Sequence, residues 1–188
     1  MEIVYYLCAF CLISFIVLAI YDGIYLHLWK YELHGKDESR FEHLTHTIRA
    51  ILFPLILIFL FICSNTFCFF IGIFLFLVDL IVLGIDAYSE KDSRQFMGGL
   101  PRCEYIIHLF ANSFHFASIV LFISTRLKIE AFQILIVNDY AELWSAHFVY
   151  LIALNLIPGA VLLAIIHLIL MTKNGAEFWT RLKIQIQK

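Results

Sequence analysis

Residues 40–62 read RFEHLTHTIRAILFPLILIFLFI, a short polar segment that passes directly into an apolar run. A run of about 20 apolar residues is long enough to cross the hydrocarbon core of a bilayer as a helix. The chain contains five such runs, at residues 3–26, 47–69, 67–87, 105–125 and 147–171. The sequence therefore predicts an all-α integral membrane protein with about five transmembrane helices.

The composition supports the same class. Of the 188 residues, 62% are hydrophobic, 16% are aromatic and 15% are charged, which is too apolar for a soluble domain of this size. The net charge is −2 and the basic residues are scattered, so nucleic acid is not an expected partner. Neither a glycine-rich phosphate loop nor a Ser-His-Asp order is recognisable, which argues against most nucleotide-binding and hydrolase classes.

A set of polar residues occurs twice along the chain. In each copy an Asp stands near the end of one apolar run and a Glu-x-x-x-His motif opens the next. The repeated residues are Asp22, Glu42 and His46 in the first copy and Asp86, Glu104 and His108 in the second. The Glu and the His of each motif are four residues apart, so they share one face of a helix.

This repeat predicts the organisation of a single membrane domain. Repeat one covers about residues 3–66 and repeat two about 67–125, each forming an antiparallel helical hairpin, so that four helices make an up-down-up-down bundle. An additional helix at about 147–171 and a cytoplasmic tail at 172–188 complete the chain. Lys and Arg residues surround the two long connections and the tail, which predicts a cytoplasmic C-terminus and an outer N-terminus.

The six repeated residues are candidate metal ligands. With this orientation they all fall at the cytoplasmic ends of their helices, and ionisable groups near a bilayer are costly unless they are paired or coordinated. His43 and His167 are further candidates as ligands, whereas His27 and His34 are expected at the interface or in the loop. Deeper in the membrane, helical spacing predicts a buried polar pair between Arg49 and Asp79. His115 is expected to make an internal hydrogen bond in the core or to form a second polar position.

The order of these residues resembles the ligand pattern of the ferritin-like di-iron carboxylate proteins, which place one Glu on each of two helices and Glu-x-x-His on the other two. The resemblance implies terminal ligands at Asp22 and Asp86, bridging ligands at Glu42 and Glu104, and nitrogen ligands at His46 and His108. This chain departs from that pattern in its Glu-x-x-x-His spacing, in its Asp residues and in its membrane setting. The implied cofactor is two metal ions, iron in the first place, with a single metal or a zinc pair left open by the spacing.

These observations predict a membrane-embedded metalloenzyme that uses O2 to oxidise a lipid or other membrane-soluble substrate, as a hydroxylase, desaturase or oxidase. Its electrons would come from a cytoplasmic donor. The alternatives are a b-type haem membrane anchor, a metal or proton transporter, a zinc-dependent membrane hydrolase and a structural subunit of a larger complex. In a further alternative, the Glu and Arg residues at the helix starts are interfacial caps that bind no metal.

Overall fold

The computed structural model describes residues 2–138 and 143–186. α-Helices occupy most of these residues. They are α1 (Glu2–Ile20), α2 (Arg40–Ile56), α3 (Thr66–Ser93), α4 (Arg102–Arg126), α5 (Trp144–Leu170) and α6 (Lys173–Ile186). Two short strands, β1 (Leu127–Glu130) and β2 (Gln133–Ile136), pair antiparallel after α4. Apart from this small hairpin, the predicted all-α class is confirmed.

Five helical segments within the described residues are long and apolar enough to cross a membrane. Their bounds are Glu2–Gly35, Arg40–Ile62, Thr66–Ser93, Arg102–Arg126 and Trp144–Leu170. Their insertion stays a prediction, but the outer surface of α3 supports it. Phe67, Phe74, Ile81 and Tyr88 follow one another at seven-residue intervals on this helix and are between 64% and 87% exposed. An apolar stripe of this length would be unfavourable in water and suits a lipid surface.

Two of the described helical segments are π-helical. The chain continues from α1 into a π-helical segment at Tyr21–Lys30, where Tyr31 N donates to Leu26 O over 2.9 Å. A second π-helical segment, Leu57–Ile62, follows α2, three residues after Pro54, which has no N–H to donate. The i→i−5 hydrogen bonds of a π-helix change which side chains share a face.

The helices pack in a different order from their order along the chain. α1 packs against α4 and α5, and α2 packs against α3 and α5. The fifth helix therefore lies between α1 and α2, although the sequence repeat treats it as an addition to the other four. At the contact between α3 and the π-helical segment that follows α2, a Cβ added to Gly72 would lie 2.9 Å from Leu60 Cβ. A glycine is needed there for the two segments to approach so closely.

The end of the bundle formed by the start of α3 and the end of α4 is closed by hydrogen bonds. Asn65 caps α3, because its side chain accepts from Cys68 N over 2.7 Å. Arg126 donates to Ser64 O over 2.8 Å and to Val137 O over 2.6 Å. The hairpin and the α2–α3 turn are thus joined through one guanidinium, and the residues of the candidate site lie toward the opposite ends of α3 and α4.

The tail, for which the sequence predicted only a cytoplasmic location, contains α6. Trp179 Nε1 donates to Leu28 O over 3.1 Å, and Lys183 Nζ donates to Trp29 O over 2.8 Å. Lys183 also pairs with Glu32. α6 therefore supplies donors to carbonyl groups near the end of the first π-helical segment, where the helix leaves its own carbonyls unpaired.

Candidate metal centre

The six repeated residues meet in one buried cluster. The first π-helical segment contributes Asp22, α3 contributes Asp86, and α2 and α4 each contribute one Glu-x-x-x-His motif. Glu42, Asp86 and Glu104 are at most 1% exposed. These side chains come from four different segments of the chain. The residues that the sequence repeat selects are therefore adjacent in space although they are distant in sequence.

One part of the cluster is a group of three side chains that could hold a metal ion: Asp22, His27 and His108. Asp22 Oδ1 lies 3.4 Å from His27 Nε2 and 3.0 Å from His108 Nε2. The two imidazole nitrogens are 3.3 Å apart. Glu104 Oε1 is also near, at 3.4 Å from His27 Nε2. A fourth possible metal ligand therefore lies beside this group.

A second group that could hold a metal ion consists of His27, Glu42 and His46. His46 Nε2 lies 3.4 Å from Glu42 Oε1 and 3.5 Å from Asp86 Oδ2. The rings of His27 and His46 have centroids 4.4 Å apart and stand nearly perpendicular. His27 thus belongs to both groups, although the sequence interpretation expected it at the interface or in the loop.

Arg94 is a central residue of the cluster that the sequence interpretation did not include. It follows α3, and its side chain is fully buried. Its Nη1 donates to Glu42 Oε2 over 2.5 Å and its Nε donates to Glu104 Oε1 over 3.0 Å. Burial lowers the pKa of the guanidinium, but the hydrogen bonds to Glu104 and Glu42 outweigh burial, and the pKa is raised above its usual value. Arg94 therefore links the two Glu residues that the resemblance assigns as metal bridges.

Each of these two carboxylates keeps one oxygen without a hydrogen-bond partner among the residues that the structure describes. Glu42 Oε1 and Glu104 Oε2 are buried and make no hydrogen bond. The same is true of His46 Nε2. Buried polar atoms are rarely left unsatisfied, because each one loses its hydration without compensation. A cation bound to these atoms would remove that cost.

Three neighbouring side chains fix the orientation of the candidate ligands. Glu90 Oε1 forms an ion pair with His108 Nδ1 over 2.8 Å, while the other ring nitrogen of His108 lies 3.0 Å from Asp22 Oδ1. Thr45 Oγ1 donates to Asp86 Oδ1, and Ser93 Oγ donates to Glu42 Oε2. Partners of this kind hold the ligands of known metal sites in position, with a carboxylate behind a His being a recurrent arrangement.

The cluster carries an excess of negative charge. Its carboxylates are Asp22, Glu42, Asp86, Glu90 and Glu104, and its guanidinium is Arg94. With neutral imidazoles, five carboxylates and one guanidinium leave four negative charges in a buried volume. Such a charge is unfavourable unless cations or protons offset it.

The additional candidates His43 and His167 lie outside both ligand groups. Their rings stack, with centroids 5.1 Å apart, and His34 follows at 6.0 Å from His43. His43 and His167 are each 2% exposed. The three rings form a row between α2, α5 and the loop before α2, separate from the carboxylates.

The Arg49–Asp79 pair is present beside the cluster. Arg49 Nε donates to Asp79 Oδ1 over 3.2 Å, and Arg49 Nη2 donates to Asn112 Oδ1 over 3.0 Å. His115 Nε2 lies 3.0 Å from Asp79 Oδ2. Arg49 Nη1 also approaches Asp86 Oδ2, at 3.8 Å, so this group, defined here as the Arg49 group (Arg49, Asp79, Asn112 and His115), touches the cluster through Asp86.

A cavity of about 380 Å³ lies against both the cluster and the Arg49 group. Its polar wall includes His46, Asp86 and His108, while Phe15, Phe53 and Leu163 belong to its apolar wall. Ile20 and Leu162 also line it, and they are 51% and 59% exposed. The cavity therefore reaches the outer surface of the bundle between α1 and α5.

Two local sequence features explain the space at Gly159 and the shared direction of Asp86 and Glu90. Gly159 lines the cavity, and a Cβ added there would meet nothing within 4 Å, so the missing side chain leaves space. Asp86 and Glu90 are four residues apart on α3 and share a face.

Comparison of the chain with family models, with curated proteins and with solved structures gave no match in any of the three.

Proposed function

We propose that this chain is a membrane-embedded metalloenzyme that holds two metal ions, in the first place iron, and uses O2 to oxidise a lipid or other membrane-soluble substrate. One observation carries the proposal. Two groups of buried His and carboxylate side chains that could each hold a metal ion stand side by side, joined at His27. Mixed nitrogen and oxygen ligands of this kind suit iron and zinc, and the helical setting resembles that of di-iron carboxylate sites.

The candidate ligands form two sets, one for each ion. Asp22, His27, His108 and Glu104 would hold one ion, and Glu42, His46 and Asp86 would hold the other. When bound, the metal pair would supply the redox chemistry that activates O2. Glu90 would keep Nδ1 of His108 engaged so that Nε2 faces the ion, and Arg94 would offset part of the carboxylate charge.

The charge of the cluster supports two ions rather than one. Two divalent cations would bring the four excess negative charges of the cluster to zero. Protonation of the three imidazoles would offset most of the same charge without metal, and such a network would be a purely structural ion cluster. Direct metal analysis separates these two states.

The cavity supports an apolar substrate. It joins the polar cluster to the outer surface between α1 and α5, where exposed apolar side chains surround its mouth. In a bilayer, a substrate would enter from the hydrocarbon region and would not need to cross water. In a hydroxylation, one oxygen atom of O2 would enter a C–H bond and the other would leave as water, after two electrons and two protons had arrived. The electrons would come from a cytoplasmic donor, which requires the proposed orientation with the cluster near the cytoplasmic face.

The test is elemental analysis of detergent-purified protein with an absorption spectrum of the same sample. We expect about two irons per chain, no Soret band, and loss of the iron from His108→Ala. His147→Ala is the matched control, since His147 is exposed on α5 and lies outside both ligand groups.

Three results would overturn the proposal in different ways. Two zinc ions would favour the hydrolase, and a Soret band would favour the haem anchor. If the wild-type protein holds no metal after preparation without chelators and after reconstitution with ferrous iron, the cluster is an ion-pair network and the enzyme assignment fails.

A further inference from the structure

We infer that the cavity beside the candidate metal centre binds an uncharged lipid-soluble molecule with a hydroxyl or carbonyl oxygen at one end, and that the Arg49 group recognises this oxygen. The inference rests on the proposed function only in identifying this molecule as the substrate. The binding itself depends on the cavity and on the Arg49 group, not on metal.

The cavity combines an apolar wall with one compact polar position, the Arg49 group, which adjoins the metal cluster at Asp86. All four members of the Arg49 group line it, together with Phe15 and Phe53. The ring of His115 has its centroid 4.5 Å from that of Phe15 and 5.8 Å from that of Phe53. An apolar pocket with a few convergent polar groups is the usual form of a binding site for a small molecule.

The Arg49 group has unused hydrogen-bonding capacity. His115 is 2% exposed, and its buried Nδ1 has no hydrogen-bond partner in the described part of the chain. Asn112 uses its side-chain oxygen to accept from Arg49, and within residues 2–138 and 143–186 its amide nitrogen makes no hydrogen bond. A hydroxyl group can donate to an imidazole nitrogen and accept from an amide at the same time. A carbonyl oxygen can accept from the amide.

The charges of the Arg49 group favour an uncharged ligand. The guanidinium of Arg49 lies 3.2 Å from Asp79 and 3.8 Å from Asp86, so its positive charge is already shared by two carboxylates. A ligand carboxylate would meet these two negative charges, and among the described residues that line the cavity Arg49 is the one Lys or Arg side chain. Its transfer into an apolar cavity would be costly. A simple alkane would leave Nδ1 of His115 without a hydrogen-bond partner.

The position of the Arg49 group also determines how such a molecule would lie. Because Arg49 contacts both Asp79 and Asp86, the oxygen-bearing end would be held beside the cluster. The remainder would extend along the apolar wall toward the opening near Leu162. The reacting carbon would then be one close to the oxygen-bearing end.

The experiment uses metal-depleted full-length protein in lipid nanodiscs. It is photolabelled with dodecanol that carries a diazirine on its chain, and in parallel with diazirine derivatives of dodecanoate and dodecane. Labelled peptides are identified by mass spectrometry. We expect the alcohol to label α1 and α5 residues of the cavity wall more than the other two probes, by roughly three- to tenfold, which is about the range that one net hydrogen bond produces.

Asn112→Leu should abolish this preference. The matched control is Asn155→Leu, because Asn155 also lines the cavity but donates to Leu151 O of its own helix and lies outside the Arg49 group. If Asn112→Leu fails to fold, a second variant, His115→Phe, tests the same group.

Equal labelling by dodecane and dodecanol, or stronger labelling by dodecanoate, would overturn the inference. If the alcohol preference is present in a protein that never binds metal, the proposed function fails and this inference stands. If the protein binds two irons but shows no alcohol preference, the inference fails and the proposed function stands.

Discussion

Asp22 and His27 are five residues apart in a π-helical segment, and their Oδ1 and Nε2 atoms are 3.4 Å apart. At 3.6 residues per turn, five residues correspond to about 140° of rotation, which would point the two side chains in different directions. The wider turn of the π-helix, with its i→i−5 hydrogen bonds, brings them to the same side. The change of helix type at Tyr21 is therefore what delivers an imidazole to the centre of the cluster.

Two histidines that the sequence alone treats alike, His27 and His34, should differ in their effect on metal binding. We expect His27→Ala to weaken metal binding by more than the about 10–100-fold that loss of a supporting partner causes, because His27 belongs to both ligand groups. His34→Ala should retain the metal, since His34 lies in the separate row with His43. Metal content after equilibrium dialysis measures both. Equal loss in the two variants would contradict the assignment.

A second prediction concerns Glu90, which contacts Nδ1 of His108 over 2.8 Å. Glu90→Ala should reduce metal affinity by about 10–100-fold, because the imidazole would lose the partner that sets its orientation and tautomer. Glu90→Gln should lose less, since its amide oxygen can still accept from Nδ1–H. Competition with a chromophoric chelator measures the affinity. An unchanged affinity in Glu90→Ala would show that His108 is held by other contacts.

A third prediction concerns the stability of the metal-free protein. Arg94→Gln would leave two buried carboxylates, Glu42 and Glu104, without their guanidinium, and removal of one partner from a buried ion pair costs about 3–5 kcal/mol. The free energy of unfolding in detergent should fall by about this amount. Arg102→Gln is the matched control, because Arg102 is exposed at the start of α4. Equal stability of the two variants would show that Arg94 is not needed to balance the cluster.

A fourth prediction tests the cavity as the route of the substrate. Gly159→Leu would place a side chain in the cavity, and its Cβ would meet no atom within 4 Å. A Leu is also about 1 kcal/mol more favourable than Gly in a helix interior, so folding and metal content should not suffer. Turnover of a lipid substrate, or photolabelling of the cavity wall, should fall sharply.

The control for this variant is Gly84→Leu. Gly84 lies on the exposed side of α3, outside the cavity, and a Cβ there also meets nothing within 4 Å. It should behave as the wild type in every measurement. Full access of the probe in Gly159→Leu would mean that substrates do not use this cavity.

A fifth prediction concerns orientation in the membrane. In a variant whose only cysteine is Cys103, which is exposed near the start of α4, a membrane-impermeant maleimide should label the protein only after the cytoplasmic side is opened. In a cysteine-free background, Phe132→Cys at the tip of the β-hairpin should be labelled in intact cells, since Phe132 is fully exposed. The reverse pattern would place the cluster at the outer face.

The sequence predicted the helical class and selected six residues that meet in space, because an approximate repeat with polar residues at the helix ends brings those ends to one level. It did not predict His27, which depends on the π-helical turn, or Arg94, whose position depends on where α3 ends. Glu90 left a signal, since it follows Asp86 by four residues on one helix face. The position of α5 between α1 and α2 could not be predicted, because a repeat records the order of helices along the chain and not which of them pack together.

The sharing of His27 between two ligand groups has a consequence for how the protein would fill with metal. Its Nε2 has a single lone pair and can bind one ion at a time. If the ion held by Asp22 and His108 binds it, the next ion is left with Glu42, His46 and Asp86 as ligands. The two steps of a titration would then have unequal affinities. A preparation with one ion per chain would be a natural stage of loading rather than a damaged protein.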